Sequence, residues 1–305
     1  MNATVAGAPV SFGVFEMTPE GAETVRPDDL LELLAEAGYG GVDLGPVGYL
    51  GEGATLSSRL AAHGLELAGG WVQLPFSDDE AFEASLPSFG EALRVFCEVA
   101  EHGPSRLPLP TLADDGSTTR RAAPGHGAEV DPLADASWQS LFRNVERAAG
   151  VIRAAGLEPT FHHHAGTFVE SPEEIDRFLR DTDVDLTLDT GHLLIGGGDP
   201  LQAVERWGSR INHLHLKDVD LAELRRVLAA GGGMAEVWSS GAFVAFGRGD
   251  IDVDAVMDAI SAQGFEGWIV VEQDVLNGPD IALDDFRAAR AADQRLNRDA
   301  LRRWV

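Results

Sequence analysis

The 305-residue sequence predicts an α/β chain folded as a single (β/α)₈ barrel. Three observations predict it. Eight short apolar runs alternate with longer amphipathic ones. A local unit of helix, glycine, short turn and apolar strand recurs in AEAGYGGVDL, LAAHGLELAG, IRAAGLEPTF and ISAQGFEGWIVV. Several of the later apolar runs end in an imidazole or a carboxylate, as expected where barrel strands open into an active-site mouth.

The predicted strands span 7–12 (with Gly13), 41–45, 65–72, 106–112, 157–164, 184–189, 211–216 and 268–273. Helical patterns lie between them at 27–38, 56–64, 77–103, near 133–156, 171–181, 199–208 and 252–264. Ser171 with Pro172 and Glu174 forms a capping-box pattern at a helix start. Gly38, Gly64, Gly156 and Gly264 stand where a glycine ends a helix. No G-x-G-x-x-G follows the first strand and no phosphate loop is present, which disfavours a doubly wound nucleotide-binding sheet.

Composition narrows the partners. Fifty acidic residues against 23 basic ones give a formal net charge of -27. Nucleic acid and anionic membrane surfaces need basic patches, so neither is an expected partner. A small molecule is expected instead, and the sequence leaves a homo-oligomer open. Cys97 is the sole cysteine, which fits a reducing cytoplasm and a buried apolar role. No signal peptide or apolar membrane span is read at the sequence level. Lys217 is the only lysine beside 22 arginines, and it follows two histidines in HLHLKD. A lysine's charge can be tuned by burial where an arginine's cannot, which marks Lys217 as a functional candidate.

The strand ends carry the chemistry. Strand five ends in His162-His163-His164, strand six in Asp189, strand seven in His215 and strand eight in Glu272. One polar residue at the end of an apolar strand can be satisfied by hydrogen bonding. Four converging on one mouth point to a divalent ion with mixed nitrogen and oxygen ligands. Along a strand, side chains alternate, so His162 and His164 share a face and His163 takes the other, where a structural role is expected. His162 and His164 are then the candidates for ligand and catalyst. His192 is expected at the rim, in the turn leaving strand six. His213 is expected one layer below His215. Glu16, ending strand one, and Trp71 and Gln73, ending strand three, are expected to line the pocket. Residues 231–250 form a Gly-rich insertion, expected to be a lid or an oligomer contact.

These segments resemble the xylose-isomerase-like TIM-barrel superfamily of sugar isomerases and epimerases. The resemblance rests on 9-PVSFGVFE-16, 38-GYGGVDLGPVGYL-50, 65-LELAGGWVQLP-75, 162-HHHAGTFVESPEEIDRFL-179, 188-LDTGHLLIGGGDP-200, 213-HLHLKDV-219 and 267-GWIVVEQDV-275. Within the superfamily the chain is similar to inosose dehydratases, so residues 1–305 are expected to form one such barrel, with 281–305 a helical tail packed against it. The resemblance implies one divalent metal, Mn²⁺ or Co²⁺ foremost, with Zn²⁺, Fe²⁺ or Mg²⁺ as alternatives. It implies Asp189, His215 and Glu272 as ligands. The superfamily's glutamate on strand five is His162 here, which the family pattern makes the fourth ligand. Losing that glutamate argues against a two-base epimerase.

The implied reaction is loss of water from a keto-inositol such as 2-keto-myo-inositol, through a metal-stabilised enediolate. Glu272 is the expected base, His164 the acid, and Lys217 a group that stabilises negative oxygen or helps expel water. His192, Glu16, Trp71 and Gln73 are the expected substrate contacts. A sugar epimerase or isomerase, or a 3-keto-glycoside lyase, is the rival reaction on the same barrel.

Overall fold

The computed structural model describes residues 1–18, 22–278 and 280–305. Its strands are β1 (Asn2–Gly7), β2 (Gly41–Val42), β3 (Glu66–Leu67), β4 (Gly69–Leu74), β5 (Leu109–Asp114), β6 (Thr160–His162), β7 (Leu186–Asp189), β8 (Ile211–Leu216), β9 (Asp218–Val219), β10 (Phe243–Val244) and β11 (Glu266–Val271). Nine of them form one sheet in the order β3-β2-β1-β11-β8-β7-β6-β5-β4, with every neighbouring pair parallel. The two ends of that order, β3 and β4, are halves of one chain segment broken only at Ala68. Ala68 N donates to Val42 O and Leu44 N to Gly69 O, so the sheet closes on itself. The result is the expected eight-stranded barrel. β9 and β10 form a separate antiparallel pair above it.

The helices follow the expected pattern at Pro27–Ala37, Gly53–His63, Asp79–Glu101, Asp135–Ala154, Pro172–Asp181, Pro200–Trp207 and Val253–Ala262. The Ser171–Glu174 capping box forms, with both reciprocal bonds in place. Gly38 and Gly64 adopt left-handed φ of 87° and 66° after their helices, a conformation that favours glycine. A further helix, Leu283–Ala300, packs against the first helix and β11. No helix among the described residues is long and apolar enough to cross a membrane.

Strand boundaries depart from expectation in instructive ways. The first strand is Asn2–Gly7, not 7–12: its small residues pair with six positions of β11. Residues 9–12 instead form a 3₁₀ turn, since Pro9 lacks an N–H for the ladder and Gly13 closes the turn at a φ of 74°. Glu16 therefore lies in the loop beyond this turn and does not end a strand. The third strand runs on to Leu74, past Trp71 and Gln73. The fifth stops at His162, because His164 N is taken by Val169 O in the following turn.

The apolar core lies between the barrel and its helices. Phe161, fully buried, stacks on Phe178 at 4.0 Å between ring centroids and lies 6.3 Å from Phe76. It is the residue immediately before His162, so its packing fixes the strand that presents the histidines. Phe161→Ala is expected to cost about 3–5 kcal/mol of stability. The shift in denaturant midpoint at unchanged m-value measures it.

Candidate metal centre and active site

The site is built from the C-terminal ends of β6, β7, β8 and β11. Asp189, the last residue of β7, caps the short helix Thr190–Ile195. One carboxylate oxygen, Oδ1, accepts from His192 N at 2.8 Å. The other, Oδ2, is thereby turned to the barrel axis. It lies 3.3 Å from His162 Nε2, 3.8 Å from His215 Nδ1 and 3.0 Å from Lys217 Nζ. Glu272 is the residue after β11, and its backbone N–H continues the ladder to Leu216 O. Its Oε2 lies 2.9 Å from His215 Nδ1 and 3.0 Å from Lys217 Nζ.

Two local features put Lys217 there. Thr190 Oγ1 donates to Lys217 O and accepts from Lys217 N, fixing the backbone just past β8. Gly191 leaves room for the lysine stem: a Cβ on it would stand 2.8 Å from Lys217 Cβ. The ammonium reaches Asp274 Oδ1 at 2.7 Å, and Asp274 Oδ2 meets His192 Nε2 at 3.0 Å. His164 stacks over His192, their ring centroids 3.5 Å apart.

The triple histidine is divided as alternation predicts. His162 and His164 rings both lie 5.2 Å from Trp71, on the cavity side. His163 is fully buried, and its Nε2 accepts the backbone N–H of Asp189 at 3.2 Å. It holds β7 in place and does not line the cavity. The turn after the histidines is held by Glu170, whose carboxylate accepts from Gly125, Gly127 and Gly166 N–H groups.

The cavity of about 270 Å³ opens over this cluster. His162, His164, His215, Lys217 and Glu272 line it, as do Glu16, Trp71 and Gln73. Trp71 Nε1 donates to Gln73 Oε1, so the two move as one wall. His192, expected at the rim, is instead completely buried behind Lys217 and His164 and does not line the cavity. Helix formation directly after Asp189 turns its ring inward. His213 lies one layer below His215, as its spacing predicts, with ring centroids 5.1 Å apart. The 231–250 insertion folds into the helix Met234–Ser240 and β10, and sends Trp238 to the cavity wall and Phe243 against His192.

Three carboxylates were absent from the expected set. Asp274 is two residues after Glu272 and so shares its face, a signal available from strand period alone. Asp43 and Asp114 stand at the ends of the second and fourth strands, where the rule applied to strands five to eight would have found them. Both line the cavity.

Electrostatics in the site are those of a dry, acidic cluster. Burial keeps the His163, His164, His192 and His213 imidazoles well below their ordinary range, hence neutral. Burial opposes the Lys217 ammonium, yet Asp189, Asp274 and Glu272 together hold it charged far above the usual lysine range. Burial would raise Asp189, but Lys217, His192 and His162 hold it well below. Glu272 is likewise held low against burial by His215 and Lys217. His215 and Asp274 both shift upward, the first through Glu272 and Asp189 overcoming burial, the second through burial itself.

The donor set fits a divalent ion. One atom each of His162, Asp189 and His215 lie within 4.8 Å of one another, all buried. His162 Nδ1 and His215 Nε2 lack a hydrogen-bond partner among the described residues, and Asp189 Oδ2 and His215 Nδ1 meet only the charged or imidazole groups of the site. Three carboxylates, Asp189, Glu272 and Asp274, crowd one ammonium, and Glu272 and Asp189 draw a proton toward His215. Buried carboxylates need cationic partners, and a divalent ion would serve in that proton's place.

A parallel barrel with an imidazole–carboxylate centre at its C-terminal mouth defines the class: a (β/α)₈ enzyme fold. The family model described as xylose isomerase-like TIM barrel matches residues 31–292. An inosose dehydratase of Geobacillus kaustophilus is 33% identical over 277 residues, covering 87% of this chain and 85% of that protein. Among solved structures, a D-allulose 3-epimerase from Methylomonas sp. aligns over 100% of this chain and 98% of its own, at TM-score 0.69 and 13% identity. A probable 3-DHS dehydratase from Bacillus anthracis aligns over 94% and 97%, at TM-score 0.65 and 14% identity. The chain belongs to the xylose isomerase-like TIM barrel family, as an inosose dehydratase-like member.

Asp114 supplies a pH test of this electrostatic picture. Its Oδ1 accepts from Gly116 N at 2.7 Å, while burial pushes the carboxyl up to about 7. The folded state therefore binds this proton more tightly than the unfolded chain does. That stability is complete below about pH 4 and is lost as pH rises through 7. Asp114→Asn keeps the acceptor and removes the titration. Its stability relative to wild type is expected to improve by about 1 kcal/mol per pH unit across that window, read from urea midpoints at each pH.

Proposed function

We propose that the chain is a metal-dependent dehydratase that removes water from a keto-inositol such as 2-keto-myo-inositol. The observation that carries this reading is the charge of the mouth. Three carboxylates crowd one ammonium and meet the imidazoles of His162 and His215, from the strands on either side of β7, beside a cavity of polyol size. The relation to a named inosose dehydratase over 87% of the chain supports the same substrate class.

His162, Asp189, His215 and Glu272 would hold the ion. When bound, it supplies Lewis acidity at the substrate carbonyl and positive charge where the α-proton is lost. Glu272, at the cavity floor, takes the α-proton of the ketone. The C–H electron pair forms the new double bond as the β-hydroxyl leaves. That hydroxyl departs as water, with a proton delivered from the His164, His192, Asp274 and Lys217 cluster. His164 is the cavity-lining imidazole of this group. Its Nδ1 contacts Ala165 O at 2.7 Å, which orients the ring. Because burial keeps His164 neutral in the resting site, the proton it delivers comes first from the Asp274 carboxyl, which burial raises, by way of His192, and the proton gained by Glu272 returns to Asp274 after product leaves. Lys217 stabilises negative oxygen on the substrate and stays charged throughout. Trp71 and Gln73 form one wall of the pocket and Glu16 its rim.

Turnover tests the reading directly. Metal-stripped protein is expected to be inactive on 2-keto-myo-inositol. Reconstitution with Mn²⁺ or Co²⁺ is expected to restore loss of one water, seen by mass and by the absorbance of the dione. Tight metal binding with epimerised keto-sugar, or with cleavage of a 3-keto-glucoside, would assign one of the rival reactions. Glu272→Gln is expected to lower kcat by about 10²–10⁴-fold. Retention of both metal and activity by that variant would remove Glu272 from the scheme. Lys217→Met takes away the only ammonium among three carboxylates. Co²⁺ is then expected to bind more tightly while kcat falls at least about 100-fold, a split that separates Lys217 from a purely structural role.

A further inference from the structure

Beneath the centre lies a second polar group that the scheme above does not use. Asp43, His213 and His215 each offer one atom within 4.8 Å of the other two, and all three side chains are buried. Asp43 Oδ1 receives a long bond from Gly45 N at 3.4 Å, whereas Oδ2 has no partner among the described residues. Neither ring nitrogen of His213 has one, and neither does His215 Nε2. These atoms belong to buried side chains, and an unmet polar group is costly there.

Their arrangement is that of a small polar cradle. One atom of each of Asp43, His213 and His215 has the other two within 4.8 Å, and three such atoms share a point about 2.8 Å from each, the length of a good hydrogen bond to water. A buried water requires two to four such partners. Gly69 keeps one side open: a Cβ there would come within 3.3 Å of both His213 Nε2 and Thr111 Oγ1, and 2.8 Å of Leu109 O.

His215 faces two ways. Its Nδ1 points at Glu272 Oε2, 2.9 Å away, on the side of the ligand cluster. Its Nε2 lies on the opposite side of the ring. A histidine that binds metal through one nitrogen usually donates the other N–H to a carboxylate or water, which fixes its tautomer and orientation.

We propose that Asp43 and His213 are positioning residues for His215, acting through one ordered water that accepts the His215 Nε2–H and is itself held by Asp43 Oδ2 and His213. Asp43 orders the water and supplies negative charge. His213 gives the water its remaining partner. Together they hold the His215 ring with Nδ1 turned toward the ligand cluster. The proposal rests on the reading of His215 as a metal ligand.

Cobalt titration of the full-length protein, followed by visible absorbance, tests it. Wild type is expected to bind one equivalent. Asp43→Asn keeps the size and removes the charge, and is expected to weaken Co²⁺ binding about 10–100-fold and shift its visible band. The melting temperature of the metal-free variant is expected to hold. His213→Gln is expected to weaken binding in the same direction, and gives the reading should Asp43→Asn fold poorly. Wild-type affinity and spectrum in both variants would overturn the inference alone. So would a loss of affinity matched by an equal loss of metal-free stability, which marks a purely structural role. A second bound equivalent that vanishes in Asp43→Asn would also overturn it, by making the cradle a metal site. No stoichiometric binding by wild type would overturn the metal reading, and this inference with it.

Discussion

Three carboxylates share one ammonium at the mouth of this barrel. Asp189, Glu272 and Asp274 each reach Lys217 Nζ within 3.0 Å. In a buried site such a cluster is tolerated only when its charge is nearly balanced and each atom is held in place. Much of the surrounding structure serves that requirement. Thr190 clamps the backbone of Lys217, His192 N takes the spare oxygen of Asp189, and His163 holds the Asp189 amide. The same crowding of carboxylates is what a divalent cation would relieve. Site chemistry and local architecture are thus two results of one electrostatic constraint.

The barrel makes this constraint affordable to satisfy. Parallel strands place their C-terminal residues on one rim, so β6, β7, β8 and β11 deliver neighbouring side chains without any long loop. The packing beneath is dense and aromatic, as at Phe161 between Phe76 and Phe178, and it leaves these strands little freedom. Above the rim, the insertion carrying Trp238 and Phe243 excludes water from one side. A low local dielectric strengthens every charge interaction inside.

Much of this was legible in the sequence. The barrel followed from alternation, and the ends of strands five to eight marked His162, Asp189, His215 and Glu272 before any coordinates. The division of His162, His163 and His164 followed from period two alone. What escaped has physical reasons. The first strand, Asn2–Gly7, consists of small residues that pack against β11 but carry a weak apolar signal. The buried position of His192 depends on a helix that starts immediately after Asp189, which a strand-and-turn reading does not foresee. Asp43 lay inside the expected strand 41–45 and Asp114 two residues beyond the expected end of 106–112, so neither stood at an expected strand end, whereas β2 stops at Val42 and β5 runs to Asp114.

The C-terminal helix, Leu283–Ala300, reaches further than its place in the chain suggests. Gln294 and Asn297 both approach Gln273 Oε1 at 3.5 Å, and Gln273 stands between Glu272 and Asp274. Gln294 also accepts from the Tyr39 hydroxyl, and Asn297 accepts from Phe246 N at the end of the insertion. The helix Leu283–Ala300 is therefore a brace that ties the end of β11 to the turn after the first helix and to the cavity wall. Mechanically, that helix is wired to the candidate site. Anything that tugs on it, whether a fused domain, an affinity tag or a docked neighbour, pulls on the carboxylates at the heart of the mouth.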